Sequence, residues 1–305
     1  KYQYKMAAIL PESTKHFSSH INQLGKGQDY SCHGFSYDEN GNFNFMVVCD
    51  GHGSQFDPII NVRNNKIIDA FQSDFDGPYW GDILKGEKND INKKLTDYIS
   101  SLGDTTGIGT TFVGVKIYDT HYDVYWIGDS SVWIYENNNR VFVNEAHDYN
   151  NPEEMIRIAV EHQTVPVLDS QDVKKIDSNT LLQIPTKYFK FSLRDKISMT
   201  HSLGHQGITG NFISHHRYEK KPGNRYKIIA SSDGFTVMVD PKVCVLDKQL
   251  IENDELSAED YTKYAANLWK KEWGFQVPGY AKIQQSFPKD GYDDIAVELF
   301  METAL

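Results

Sequence analysis

Long apolar runs are missing from this 305-residue chain. No stretch approaches the roughly 20 consecutive apolar residues of a membrane helix, and mean hydropathy is −0.54, so a membrane span is excluded. Cysteine is scarce, with Cys32, Cys49 and Cys244 too few and too scattered for a disulfide framework. That scarcity points to a reducing, intracellular setting, with the cytoplasm as the expected location. Positive charge is in deficit: 31 Lys and Arg against 42 Asp and Glu give a formal net charge of −11. Such a surface repels phosphate backbones and anionic lipid, which argues against nucleic-acid and membrane partners. Fixed-period repeats and low-complexity tracts are absent. So is a charged-then-apolar leader, and the chain opens at Lys1 rather than methionine, so a fragment or processed form is expected. Nothing in the pattern sets an oligomeric state.

Aromatic residues are plentiful, with 18 Tyr and 16 Phe, and they favour sheet. Tyr30–Tyr37 and Phe43–Cys49 read as strands flanking Asp38-Glu39-Asn40-Gly41-Asn42, whose Asn-Gly pair signals a hairpin. Phe43, Phe45, Val47 and Cys49 alternate onto one side. A meander runs from Thr110 to Asn144, its apolar runs 111–118, 122–127, 132–135 and 140–143 separated by turn residues. Later strands are expected at Tyr226–Ser231 and 295–300. Helical spacing marks 56–71, 91–102, 153–162 and 257–273, the last opening on Ser257 and Asp260, a looser capping box. Short meandering strands with helices between them predict an α+β fold with an antiparallel β core covered by helices, in one domain over 1–305. The polar stretch 147–218 has weak periodicity and reads as a variable, flap-like region.

Aspartates fall at strand ends. Asp50 ends the apolar run 45–49 and precedes Gly51-His52-Gly53; Asp233 ends 228–232 and precedes Gly234; Asp293 and Asp294 precede 295–299; Asp29 precedes Tyr30. An Asp-Gly pair alone is more often a turn than a ligand. Four acids at four strand ends can instead converge on one rim, where like charges raise each other's pKa and call for a counter-cation. All-oxygen donors suit a hard ion such as Mg²⁺ or Mn²⁺, and Gly51 lets a backbone carbonyl come close.

Asp50-Gly51-His52-Gly53 after an apolar strand resembles the signature of the metal-dependent protein phosphatase 2C family. Further blocks resemble that family in the same order: Gln28-Asp29, Gly109-Thr110-Thr111, Ile127-Gly128-Asp129-Ser130, Glu154-Met155-Ile156-Arg157-Ile158, Ser202-Leu203-Gly204, Ser231-Ser232-Asp233-Gly234 and Asp293-Asp294-Ile295-Ala296-Val297. The resemblance implies a central β-sandwich with helices on both outer faces, a four-layer αββα arrangement. It also implies hydrolysis of phosphoserine and phosphothreonine on a phosphoprotein substrate by two Mn²⁺ or Mg²⁺ ions. In that scheme Asp50 bridges the ions, the Gly51 carbonyl binds one, and Asp233 and Asp293 complete the other's shell. Asp29, with Gln28 beside it, holds metal-bound waters. A bridging water attacks phosphorus and His52 protonates the leaving oxygen.

Departures from the family pattern are as specific. Leu24 stands where a phosphate-gripping arginine is common, with Lys26 nearby as a point charge that could bind phosphate. Gln28 replaces a usual glutamate. Val237 replaces an aspartate of a third metal site whose other partner, Asp129, is kept. These motivate an alternative, a pseudophosphatase of the same fold acting as a binding or scaffolding module, and a weaker one, a two-metal hydrolase of other phosphoesters. Losing one charged hydrogen bond to phosphate costs about ten- to hundredfold in rate, which weakens an enzyme without abolishing it. An active phosphatase with a loosened phosphate grip is therefore expected. Gly107-x-Gly109 fails the dinucleotide fingerprint, with Phe112 at the third position. His201, His205, His215 and His216 match no usual zinc spacing.

Overall fold

In the computed structural model, residues 14–24, 26–53, 55–57, 62–73, 77–149, 151–162, 167–190, 196–205 and 209–303 are described. Two antiparallel sheets dominate. In the first, Gly41–His52 is central, with Asp29–Asp38 on one side and Phe112–Ile117, His121–Ile127 and Ser214–Glu219 following in order on the other. The short strands Gly109–Thr110 and Leu203–Gly204 continue it at the end nearest His52. The second sheet runs Thr14–Asn22, Ile295–Thr303, Tyr226–Ser231, Ser131–Glu136, Asn139–Val143.

Alternation along Gly41–His52 decides how the sheets face. Met46 and Val48 join Val113, Val115 and Val124 of their own sheet and Val132, Ile134, Ile228 and Phe300 of the other in one buried cluster. Phe43, Phe45, Val47 and Cys49 point the opposite way, against Ile67, Phe71, Ile91, Leu95 and Ile99. The second sheet likewise turns Trp133, Ile229, Val297 and Leu299 toward Tyr261, Ala265 and Trp269. A strand buried on both faces reads as a nearly continuous apolar run, which is why 45–49 does. The α+β class and the antiparallel sheets are as the sequence leads one to expect.

Several elements differ from expectation. The run 56–71 is not one helix: Gln55–Asp57 pairs with Val62–Asn64 as a small hairpin, and the helix is only Lys66–Gln72. Residues 58–61 lie outside the described ones. Asn65 sets the helix start, its Oδ1 accepting from the backbone N–H groups of Ile67 (3.1 Å) and Ile68 (3.4 Å). The helix from Ser257 forms with its capping box at Asp260 but ends at Trp269. Trp273 then lies in the strand Glu272–Gln276, which runs parallel to Thr180–Leu182. Region 147–218 contains the helix Pro152–His162 and the hairpin Val167–Lys175 with Thr180–Lys190. Cys32, Cys49 and Cys244 are free.

Candidate active site

Hydrogen-bonding register brings the strand-end aspartates to one rim. Asp29 opens Asp29–Asp38 and sits directly opposite Asp50. Asp233 follows Ser232, whose N–H donates to the Ala296 carbonyl (3.1 Å), so the 233 turn and the 293–294 turn share that rim. The backbone N–H groups of Lys26 and Gln28 donate to the Asp294 carboxylate (3.2 and 2.9 Å), stapling the segment before Asp29 to the other sheet. Ser232 also hydrogen-bonds the Asp29 carboxylate and accepts at Oγ from the Ala296 N–H (2.9 Å).

The polar blocks around Asp50 hold its backbone. Its N–H donates to Thr111 Oγ1 (2.9 Å), and its carbonyl accepts from the Thr111 N–H (2.9 Å) and Thr110 Oγ1 (3.0 Å). Thr111 Oγ1 meets Ser130 Oγ at 2.6 Å. Glycine is required at two points of close approach. A Cβ on Gly51 would stand 2.6 Å from both the Gln28 carbonyl oxygen and Ile68 Cγ1, and one on Gly234 would stand 2.0 Å from the Asp294 carbonyl oxygen.

Crowded, buried carboxylates dominate the electrostatics. Burial raises Asp50 well above the usual carboxylate range, and Asp29, Asp233 and Asp293 push it further. Burial likewise raises Asp29, against a hydrogen bond from Ser232, with Asp294, Asp293 and Asp233 adding to the rise. Asp233 is pushed up to about 6 by burial and Asp293, although a hydrogen bond from Asp50 and the Lys26 charge pull it down. Asp129 is pushed up to about 8 by burial and Asp233, with Asp148 and Asp293 contributing. One carboxylate oxygen each of Asp29 and Asp233 is buried without a hydrogen-bond partner. Lys26 Nζ stands 3.2 Å from Asp293 Oδ1. Burial works against its charge, but Asp293, Asp50 and Asp233 outweigh that and hold the ammonium firmly protonated.

Among the described residues, no three His, Cys, Asp or Glu side chains already form a metal-ligand set. The donors nonetheless fit a hard cation: all are oxygens, they repel one another, and two of those oxygens have no other partner. Gln28 is buried, and its Nε2 donates to the Gly53 carbonyl (3.2 Å), a bond a glutamate could not make. Leu24 and Val237 are partly buried against the apolar cluster under the second sheet. Arg157, in the helix block, donates to the Thr200 carbonyl (2.7 Å).

His52 lies opposite Gly109 at the end of its strand. Its Nδ1 is 2.8 Å from His205 Nε2, the two rings stack at 4.7 Å between centroids, and its Nε2 is buried without a partner. Burial, then His205 and Lys26, lower its pKa well below the usual histidine value.

Sequence reasoning missed four contributors. Asn65 Nδ2 donates to the Gly109 carbonyl (3.0 Å) while its Oδ1 caps a helix; an Asn ahead of Lys66-Ile67-Ile68 was the available signal. His205 reads from spacing only as a zinc candidate, although it directly follows the Ser202-Leu203-Gly204 block. Asp148 and Asp172 reach the rim's field, Asp148 through Asp129 and Asp172 through Asp293; both fall in the stretch whose periodicity says least. Of the other histidines weighed for zinc, His201 pairs with Glu154 (2.6 Å), His215 with Asp123 (3.0 Å), and His216 stacks on Phe142.

Comparison with known proteins adds an independent finding. The family profile described as Protein phosphatase 2C matches residues 15–180, more than half of the chain. The fold is similar to that of serine-threonine phosphatase 2C from Toxoplasma gondii (12% identity, 93% of this chain and 99% of that one, TM-score 0.51). It is also similar to the S. agalactiae serine/threonine phosphatase (15%, 94% and 99%, TM-score 0.50). A C.elegans sex determining protein aligns too (13%, 94% and 64%, TM-score 0.54). No curated protein matches the chain in sequence. The chain belongs to the protein phosphatase 2C family. No helix among the described residues is long and apolar enough to cross a membrane.

Proposed function

We propose that the chain hydrolyses phosphoserine and phosphothreonine on proteins, with divalent cations bound at the aspartate rim. The observation that carries this reading is the set of opposed carboxylates, Asp29, Asp50, Asp233 and Asp293, each within the electrostatic reach of others across two sheets. Asp50, the Gly51 carbonyl, Asp233 and Asp293 would hold two Mn²⁺ or Mg²⁺ ions, Asp29 and Gln28 would support their hydration, and Asp129 stands ready for a third. When bound, such ions supply an acidified water and neutralise charge developing on the phosphoryl group.

The chain's own residues divide the remaining work. The backbone of Asp50 is held by Thr110 and Thr111, and Thr111 by Ser130, which supports Asp50 in the central donor role proposed for it. His52 presents Nε2 with no protein partner, so that atom is free to give a proton to the departing seryl or threonyl oxygen. Lys26 brings a point charge to the phosphate side of the rim beside Asp293, without the bidentate grip of an arginine. Region 147–218 carries the helix Pro152–His162 and the hairpin Val167–Lys175 with Thr180–Lys190, and it is the part we assign to substrate choice within a single domain.

The test is release of inorganic phosphate from a phosphothreonine peptide with and without Mn²⁺, beside an Asp50→Asn control. Mn²⁺-dependent release by the native chain, lost in the control, is expected. Traces that do not differ between the two proteins would end the proposal.

A further inference from the structure

His52 and His205 form a directed pair whose protonation pattern is set from its buried end. His205 is buried (2% exposed) and held at φ +45°. Its backbone N–H donates to the carbonyls of Thr105 (3.0 Å) and Ile108 (2.9 Å), so the loop fixes where the ring sits. His205 Nδ1 lies 3.3 Å from the Thr106 carbonyl oxygen. A carbonyl only accepts, so Nδ1 of His205 must carry the proton. In the neutral ring Nε2 is then bare, and it can only accept from Nδ1–H of His52, 2.8 Å away. That leaves Nε2 of His52 as the bare nitrogen of the pair, and it is the atom with no protein partner. Glycine at 109 permits the stack: a Cβ there would stand 2.4 Å from His205 Cδ2 and 2.6 Å from His52 Cε1.

From this geometry we infer that His205 is a positioning residue, fixing the ring orientation and the Nδ1–H tautomer of His52 through a Thr106 carbonyl–His205–His52 chain. The inference rests on the acid role given to His52 above, but the tautomer itself can be read without turnover. In the pair's neutral state His52 Nε2 is bare. Without His205, an imidazole at position 52 would divide between two tautomers and two ring orientations. The cost would then appear in kcat more than in KM, because His205 acts through His52.

The experiment uses the full chain with ¹⁵N-labelled histidine, in metal-free and Mg²⁺-containing buffer, and long-range ¹H–¹⁵N correlation at a pH where both rings are neutral. In the native chain His52 is expected as Nδ1–H with bare Nε2. In His205→Phe, which keeps a stacked ring and removes the acceptor, both tautomers of His52 are expected, with kcat down at least about tenfold and KM within twofold. His205→Gln, whose Oε1 can accept the same proton, should restore the single tautomer and most of kcat. An Nε2–H tautomer of His52 in the native chain would overturn the inference. So would a single unchanged tautomer with unchanged kcat in His205→Phe, or equal losses in the Gln and Phe proteins with matched melting temperatures. If no protein hydrolyses phosphopeptide, the phosphatase reading fails while the tautomer spectra still decide this one.

Discussion

Asp29 and Asp38 terminate the same strand, about 30 Å apart at ~3.3 Å per residue, and the fold treats them in opposite ways. Asp38 accepts from Lys116 Nζ (3.0 Å) and Tyr118 Oη (2.6 Å); burial would raise it, but those bonds win and hold it below the usual carboxylate range. Asp123, near it in the same sheet, is met by Arg217 through two nitrogens at 2.8 Å and by His215 at 3.0 Å, and it too is lowered despite burial. Asp29 faces other acids and is raised. Where carboxylates serve structure, the chain brings its own cations to them. At the rim, among the described residues, Lys26 stands beside Asp293, Asp50 and Asp233, and the balance is left for a ligand to supply.

The sharpest way to break this contrast is Asp50→Asn. Loss of at least about 10³-fold in Mn²⁺-dependent phosphatase activity is expected if Asp50 is the shared donor. In EDTA, the same change removes a buried carboxyl that other acids crowd, so the melting temperature should hold or rise. At the other end of the strand, Lys116→Met strands Asp38 (3% exposed) without its cation. A loss of about 3 kcal/mol in urea unfolding is expected, near the low end for breaking a buried pair because Tyr118 still donates. If Lys116→Met cost nothing while Asp50→Asn unfolded the chain, the two regions would have exchanged roles.

Acidity separates the regions by sign. A carboxylate with a raised folded pKa keeps its proton in the folded state where the unfolded chain has lost it. Its contribution therefore falls as pH rises from the unfolded value, about 3.8, through the folded one. Asp233 and Asp129, pushed up to about 6 and about 8, set that window at roughly pH 4 to 8. Asp38 and Asp123, lowered, contribute above the unfolded value and lose that contribution as pH falls below it. Scanning calorimetry in EDTA should show the melting temperature dropping by about 5 °C or more between pH 5 and pH 8. Mn²⁺ should flatten that slope; an EDTA slope of the opposite sign would contradict the assignment. The smallest effect concerns the phosphate grip. Lys26→Ala should raise KM for a phosphopeptide about tenfold. Leu24→Arg should change it less, because position 24 packs against apolar neighbours.

How much of this was legible beforehand follows from where the information lies. Alternation of Phe43, Phe45, Val47 and Cys49 is local and marks the strand and one of its faces as half-buried; that Met46 and Val48 bury the other face against the second sheet is tertiary. The aspartates were legible because strand ends are local too, and strands of one sandwich end at a shared rim. The failures were tertiary. The 56–71 run keeps helical spacing, yet Asn65 caps the chain late and the preceding segment pairs with itself. Trp273 continued a helical pattern but joined a strand whose partner, Thr180–Leu182, is far away in sequence. His205 lies 153 residues from His52, and no spacing rule spans such a gap. Sequence position suggests Lys26 as a phosphate ligand; its pairing with Asp293, beside the bond from its N–H to Asp294, is tertiary.

The most direct measurement of the central claim is calorimetric titration of Mn²⁺ into the chain at pH 7.5, beside Asp233→Asn. Saturable binding at micromolar to millimolar Mn²⁺, weakened at least about tenfold by the substitution, is the predicted result. No saturable heat in the native chain, or identical isotherms for the two proteins, would contradict the account.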